Sequence, residues 1–172
     1  MNEKDRFSEM KGRSVTNTLL EQPYIKNCSY LFYGSERLEE IPAIYEICKY
    51  ATDMSYMFAA NCGTDIDLHL EKLNTSHVKT MSYMFANIGT LSCWEHFDVT
   101  RLDTSNVEDL SHFFHGCHAL QTVNINGINT QNVKNMEGMF FGTGAINLDI
   151  FLQNSLCHGH KQDIFQEPWW CQ

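Results

Sequence analysis

The chain has 172 residues, 43% hydrophobic and 19% charged, with a formal net charge of −9. That length and apolar share suit one domain with a sizeable core, and the charged fraction is too low for a disordered chain. Twelve Lys+Arg against 21 Asp+Glu repel phosphate, and no apolar run reaches the roughly 20 residues of a bilayer span, so neither direct nucleic-acid binding nor a membrane span is expected.

The first residues, MNEKDRFSEMKGR, are of mixed charge and hold no apolar stretch of the kind a secretory signal requires. The expected location is therefore cytoplasmic for a full-length chain, and the cell surface for a piece of a longer exported protein. Seven cysteines stand at 28, 48, 62, 93, 117, 157 and 171 without a Cys-x-x-Cys pair. Common zinc and thioredoxin-like frameworks are thus absent, and the thiols read as small buried hydrophobes suited to a reducing compartment.

From residue 28 onward the chain repeats itself. CSYLF at 28 and MSYMF at 54 are followed by three longer copies. These are LNTSHVKTMSYMF from Leu73, LDTSNVEDLSHFF from Leu102 and INTQNVKNMEGMF from Ile128. The closing five residues begin at 28, 54, 81, 110 and 136, in steps of 26 to 29. A near-constant period of this size is the mark of stacked units, none of which buries its apolar face alone.

Within a unit, Val107, Leu110, Phe113 and Phe114 recur as one face of a short helix, as do Val78–Phe85 and Val133–Phe140. Thr and Ser before each Val are suitable N-caps, and Ser105 with Glu108 has capping-box spacing. After each Phe the period switches to two, which predicts short strands at Leu68-x-Leu70, Phe97-x-Val99, Val123-x-Ile125 and Leu148-x-Ile150. The expected fold is α/β: a leucine-rich-repeat-type solenoid with short parallel strands on one side, short helices on the other, and capped ends. Residues 1–27 form the expected N-terminal cap, 28–150 about five repeats, and 151–172 the C-terminal cap, closed by Trp169 and Trp170.

Two columns read as structural ladders of turn-bonding side chains: Asn74, Asp103 and Asn129, with Thr75, Thr104 and Thr130 beside them. The outward strand positions form the candidate partner-binding face: Asp67, His69 and Glu71, then His96, Asp98 and Thr100, then Thr122, Asn124 and Asn126. At a strand spacing of about 4.8 Å, His69 would neighbour Asp98 and Asp67 would neighbour His96, a set able in principle to bind a divalent metal. A polar recognition face is the preferred reading, with no metal and no cofactor. His112, His115 and His118 read as a surface cluster, and Cys157, His158, His160 and Cys171 match no common zinc spacing.

The string LDTSNV, followed by the Leu/Met-Ser-x-Met/Phe-Phe ending, resembles the BspA-like leucine-rich repeat, a unit of roughly 26 residues found in bacterial surface proteins. The resemblance covers about residues 28–150. It implies a solenoid that serves in adhesion or protein binding without catalysis. No nucleophile elbow, phosphate loop or His-Glu-x-x-His motif argues otherwise.

Charge offers a second reading. Residues 1–50 hold 7 basic and 8 acidic side chains, while 51–172 hold 5 and 13. An acidic face of that kind favours a partner protein with a basic surface. The alternative function is then a cytoplasmic regulator that covers a basic, nucleic-acid-binding protein. Oligomeric state is not set by the sequence.

Overall fold

The computed structural model describes residues 24–35, 42–60, 68, 70–88 and 96–144. Regular structure is sparse. Helix α1 spans Pro42–Ile47, a 3-10 turn spans Leu70–Lys72, and two strands, β1 His96–Asp98 and β2 Thr122–Asn124, pair in parallel. Turn and coil make up the rest of the described residues. The expected α/β solenoid of leucine-rich-repeat type is therefore not what forms. Its predicted helices at 78–85, 107–114 and 133–140 are turns, and Leu70, an inward position of the predicted strand, opens the 3-10 turn instead. The strand at 148–150 and the C-terminal cap at 151–172 lie outside the described residues, as does the N-terminal cap except for 24–27.

Backbone dihedrals explain why an amphipathic pattern fails to become a helix. Tyr30, Tyr56, Tyr83, His112 and Gly138 stand at the same place in the motif, and all have φ between 55° and 60°. Four residues on, Gly34, Ala60, Asn87, Gly116 and Gly142 are left-handed again. A right-handed helix cannot pass through such residues. Tight turns take its place: Met57 N–H donates to Met54 C=O (3.2 Å), Met84 to Met81 (3.1 Å) and Met139 to Met136 (3.3 Å). These are i to i+3 bonds, and a positive φ at the third turn residue is the type II requirement.

The amides that a helix would use internally are spent sideways. Met54 N–H donates to Thr80 C=O, Tyr56 to Ser82, Phe58 to Met84 and Ala60 to Ala86, all within 3.0 Å. Equivalent bonds run from Met81, Tyr83, Phe85 and Asn87 to the turn beginning at Leu110, and from there to the turn beginning at Met136. Single parallel bridges Asn27↔Asp53, Asp53↔Thr80, Thr80↔Asp109 and Asp109↔Asn135 mark the same register. Each bridge residue, through its side-chain oxygen, accepts from the N–H two residues later, so the corner is tied locally as well.

Apolar residues fill the space behind these turns. Met54, Met81 and Leu110 are wholly buried, as are Met57, Met84 and Phe113. Phe32, Phe58, Phe85, Phe114 and Phe140 stack in a column with successive centroids 5.6–5.8 Å apart. Met and Phe side chains thus build much of this core, placed there by their position in the motif. Helix α1 begins at Pro42, where a missing N–H costs nothing. It docks through the buried Ile47 and Cys48, with Ile25 N–H donating to Ile47 C=O at 3.0 Å.

Candidate functional site

Strands β1 and β2 carry the described part of the candidate face. Register pairs His96 with Thr122, Phe97 with Val123 and Asp98 with Asn124. Alternation sends Phe97 inward at 8% exposure, followed by fully buried Val99, and leaves His96, Asp98, Thr122 and Asn124 exposed. His96 Nδ1 lies 2.6 Å from Thr122 Oγ1, and Asn124 Nδ2 donates to Asp98 Oδ2 at 3.2 Å. Burial pushes the Asp98 carboxyl up. Hydrogen bonds from Thr100 and Asn124, together with the charge of Arg101, outweigh it and hold the group below the usual carboxylate range. The resulting row is polar, preorganised and anionic at neutral pH. A groove of about 430 Å³ runs along it, lined by His96, Phe97, Asp98 and residues 122–126.

The other predicted face residues fare unevenly. Thr100 is half-buried, and its N–H donates to Asp98 Oδ1, turning the chain at the end of β1. Asn126 is exposed and makes the matching bond to Asn124 Oδ1. Glu71 is exposed but belongs to the 3-10 turn rather than a strand. Asp67 and His69 lie outside the described residues, and with them the predicted neighbours His69/Asp98 and Asp67/His96. Among the described residues no group of three or more His, Cys, Asp or Glu is placed to hold a metal ion. No helix among them is long and apolar enough to cross a membrane.

The two ladder columns divide their work. Asn74, Asp103 and Asn129 each accept, through Oδ1, the N–H two residues ahead within their own turn. Bonds from Ser105 hold the Asp103 carboxyl below its ordinary range. Contact with the neighbouring motif copy comes instead from the buried threonines. Thr75 Oγ1 accepts from Asp103 N–H at 2.8 Å, and Thr104 Oγ1 accepts from Asn129 N–H at 2.7 Å while donating to Asn129 C=O. Thr130 is buried at the same place. Glu108, expected to close a capping box, pairs with Lys79 and Lys134, and these pairs hold its carboxyl low.

An aromatic ladder, not expected from the sequence, runs through the turns. Tyr30, Tyr56, Tyr83 and His112 stack ring on ring at 4.4–4.5 Å. The signal was there: the third residue of each five-residue ending reads Tyr, Tyr, Tyr, His, Gly. The expected surface cluster of histidines is corrected accordingly. His112 and His115 are half-buried ring partners 5.3 Å apart, His115 also lies flat on Phe141 at 5.0 Å, and only His118 is exposed.

A family model described as "Mycoplasma protein of unknown function, DUF285" matches residues 6–93 and again residues 52–167. The chain belongs to that family. The two DUF285 matches overlap across 52–93, the stretch that holds the motif endings at 54 and 81. No curated protein and no solved structure matches the chain.

Proposed function

We propose that this DUF285 member is a non-catalytic protein-binding module of adhesion or host-interaction type, related to the BspA-like repeat proteins its motif resembles. The observation that carries the reading is the row His96, Asp98, Thr122 and Asn124. These side chains stand exposed at fixed parallel register beside a groove, with Phe97 and Val99 anchoring the row from behind. Side chains held by one another lose little freedom on binding, which favours recognition over general solvation. The Asp98 carboxylate suits a partner with a basic surface.

Pull-down from a host-cell surface extract with the intact chain, then with Asp98→Ala/Asn124→Ala, tests this. Loss of the captured protein from a double variant that still unfolds cooperatively, its melting temperature lowered only by the lost turn bonds to Thr100 and Asn126, is the expected result. Undiminished capture by the double variant moves the site off the strand face. The acidity of residues 51–172, with 13 acidic side chains against 5 basic, favours a second reading as a cytoplasmic regulator of a basic protein. Recovery of the native protein only in the soluble cytoplasm would replace the first reading by the second.

A further inference from the structure

Cys28 opens the first turn of the described chain, and Cys48 directly follows α1, 20 positions later. Both are buried, at 1% and 0% exposure, and their Sγ atoms lie 2.8 Å apart. That separation is closer to a disulfide bond of about 2.0 Å than to ordinary nonbonded packing of about 4 Å. Two separate features bring the sulfurs together. Cys28 N–H is tied to Asp53 C=O at 2.8 Å, and the α1 end is tied back by Ile25 N–H to Ile47 C=O. Neither anchor involves a sulfur, so the backbone sets the approach.

We propose that Cys28 and Cys48 become a disulfide when the protein folds in the presence of a small-molecule disulfide such as oxidised glutathione. The thiolate of one cysteine attacks the glutathione disulfide, whose sulfur–sulfur bond breaks and releases one glutathione thiolate. The second cysteine's thiolate then attacks the mixed disulfide at the protein sulfur, forming the Cys28–Cys48 bond and expelling the second glutathione. Two protein thiols are oxidised by two electrons, one glutathione disulfide is reduced, and the two protons end on the released glutathione thiols. The bond staples the end of α1 to the first turn, beside the Ile25–Ile47 hydrogen bond. The hydrogen bond with Cys28, and burial after it, keep the Cys48 thiol protonated once the fold is complete, so the exchange belongs to folding and not to the finished molecule. Cys117 is the internal contrast: equally buried, its Sγ donates to Phe85 C=O at 3.1 Å.

The test is refolding of the full chain from reduced denaturant in a glutathione redox buffer, followed by alkylation and peptide mapping. A cross-linked peptide joining Cys28 to Cys48, with Cys117 alkylated only after denaturation, is expected. The oxidised protein should melt about 5–10 °C above its reduced form, and Cys48→Ala should abolish that difference. Alkylatable Cys28 and Cys48 after refolding would overturn the proposal, as would their scatter among pairs with other cysteines. The readout needs no folded variant, because the mapping is done on the natural sequence.

Discussion

Tyr56 lies flat on Tyr83, with ring centroids 4.5 Å apart and planes 5° from parallel, and both residues hold positive φ, 58° and 56°. A left-handed non-glycine residue costs about 1–2 kcal/mol, so each Tyr opposes the backbone it sits on. Stacking on both faces offsets that cost, since Tyr56 also meets Tyr30 at 4.5 Å and Tyr83 meets His112 at 4.4 Å. Burial and the neighbouring tyrosines push the Tyr56 phenol up to about 12, so this ring stays neutral through the physiological range.

This opposition reverses a common order of substitutions. In ordinary helix and strand positions Ala is more stable than Gly by up to about 1 kcal/mol. At position 83 both changes lose the rings, but only Gly relieves the left-handed strain. Tyr83→Gly is expected to be more stable than Tyr83→Ala by about 1 kcal/mol, read by urea denaturation. The usual order, Ala above Gly, would show that φ at this position is not held.

The buried threonines give a second expectation. Thr104 Oγ1 is the partner that Asn129 N–H finds in the next motif copy, at 2.7 Å, in a residue only 2% exposed. Thr104→Val keeps the shape and strands that N–H, so it should cost about 1–3 kcal/mol at an unchanged denaturant slope. Thr104→Ser keeps the hydroxyl and gives up one methyl, for a smaller loss of about 1 kcal/mol. Equal losses for the two variants would mean that the hydroxyl does not link the copies.

What was legible in the sequence follows from which forces leave a linear trace. Equivalent positions, the inward set from Val78 to Phe140 and the threonine column can be read by spacing, because burial recurs with the motif. Local conformation was misread, for a physical reason. Val107, Leu110, Phe113 and Phe114 satisfy a helical period. A turn that faces the same core on one side satisfies it too, and only the left-handed residue at His112 separates the two. Tyr and His give no warning of positive φ as Gly does, so the breaker was hidden in the very residues that stack. At the candidate face, alternation placed Phe97 inward and Asp98 outward, while Glu71 escaped because its segment coils into a 3-10 turn.

Gly138 closes the aromatic column, and its neighbour explains why. A Cβ there would fall 2.5 Å from His112 Nδ1, and φ is +57°. The His112 ring cannot give way without leaving Tyr83. Gly138→Ala is expected to cost about 2–3 kcal/mol, from strain and overpacking together. Adding His112→Ala removes the obstacle and should recover about 1 kcal/mol of that, as a coupling in a double-mutant cycle. Strict additivity of the two changes would refute the contact.

His115 supplies the pH dependence. Burial first, then the charges of His112 and His118, lower its pKa below the ordinary histidine value, while its ring lies flat on Phe141 and tilted against Tyr83. With the folded value below the unfolded one, the unfolded chain takes up the proton first as pH falls. This group therefore contributes nothing to the pH dependence well above the unfolded pKa of about 6.5. Below that it subtracts stability progressively, until the pH passes the folded value and the loss levels off. His115→Phe keeps a flat ring over Phe141 and has nothing to titrate. The wild-type urea midpoint is expected to fall more steeply than that of the variant between about pH 7.5 and pH 5.5, with the two curves converging in slope above that window. Parallel curves throughout would place the acid sensitivity elsewhere in the chain.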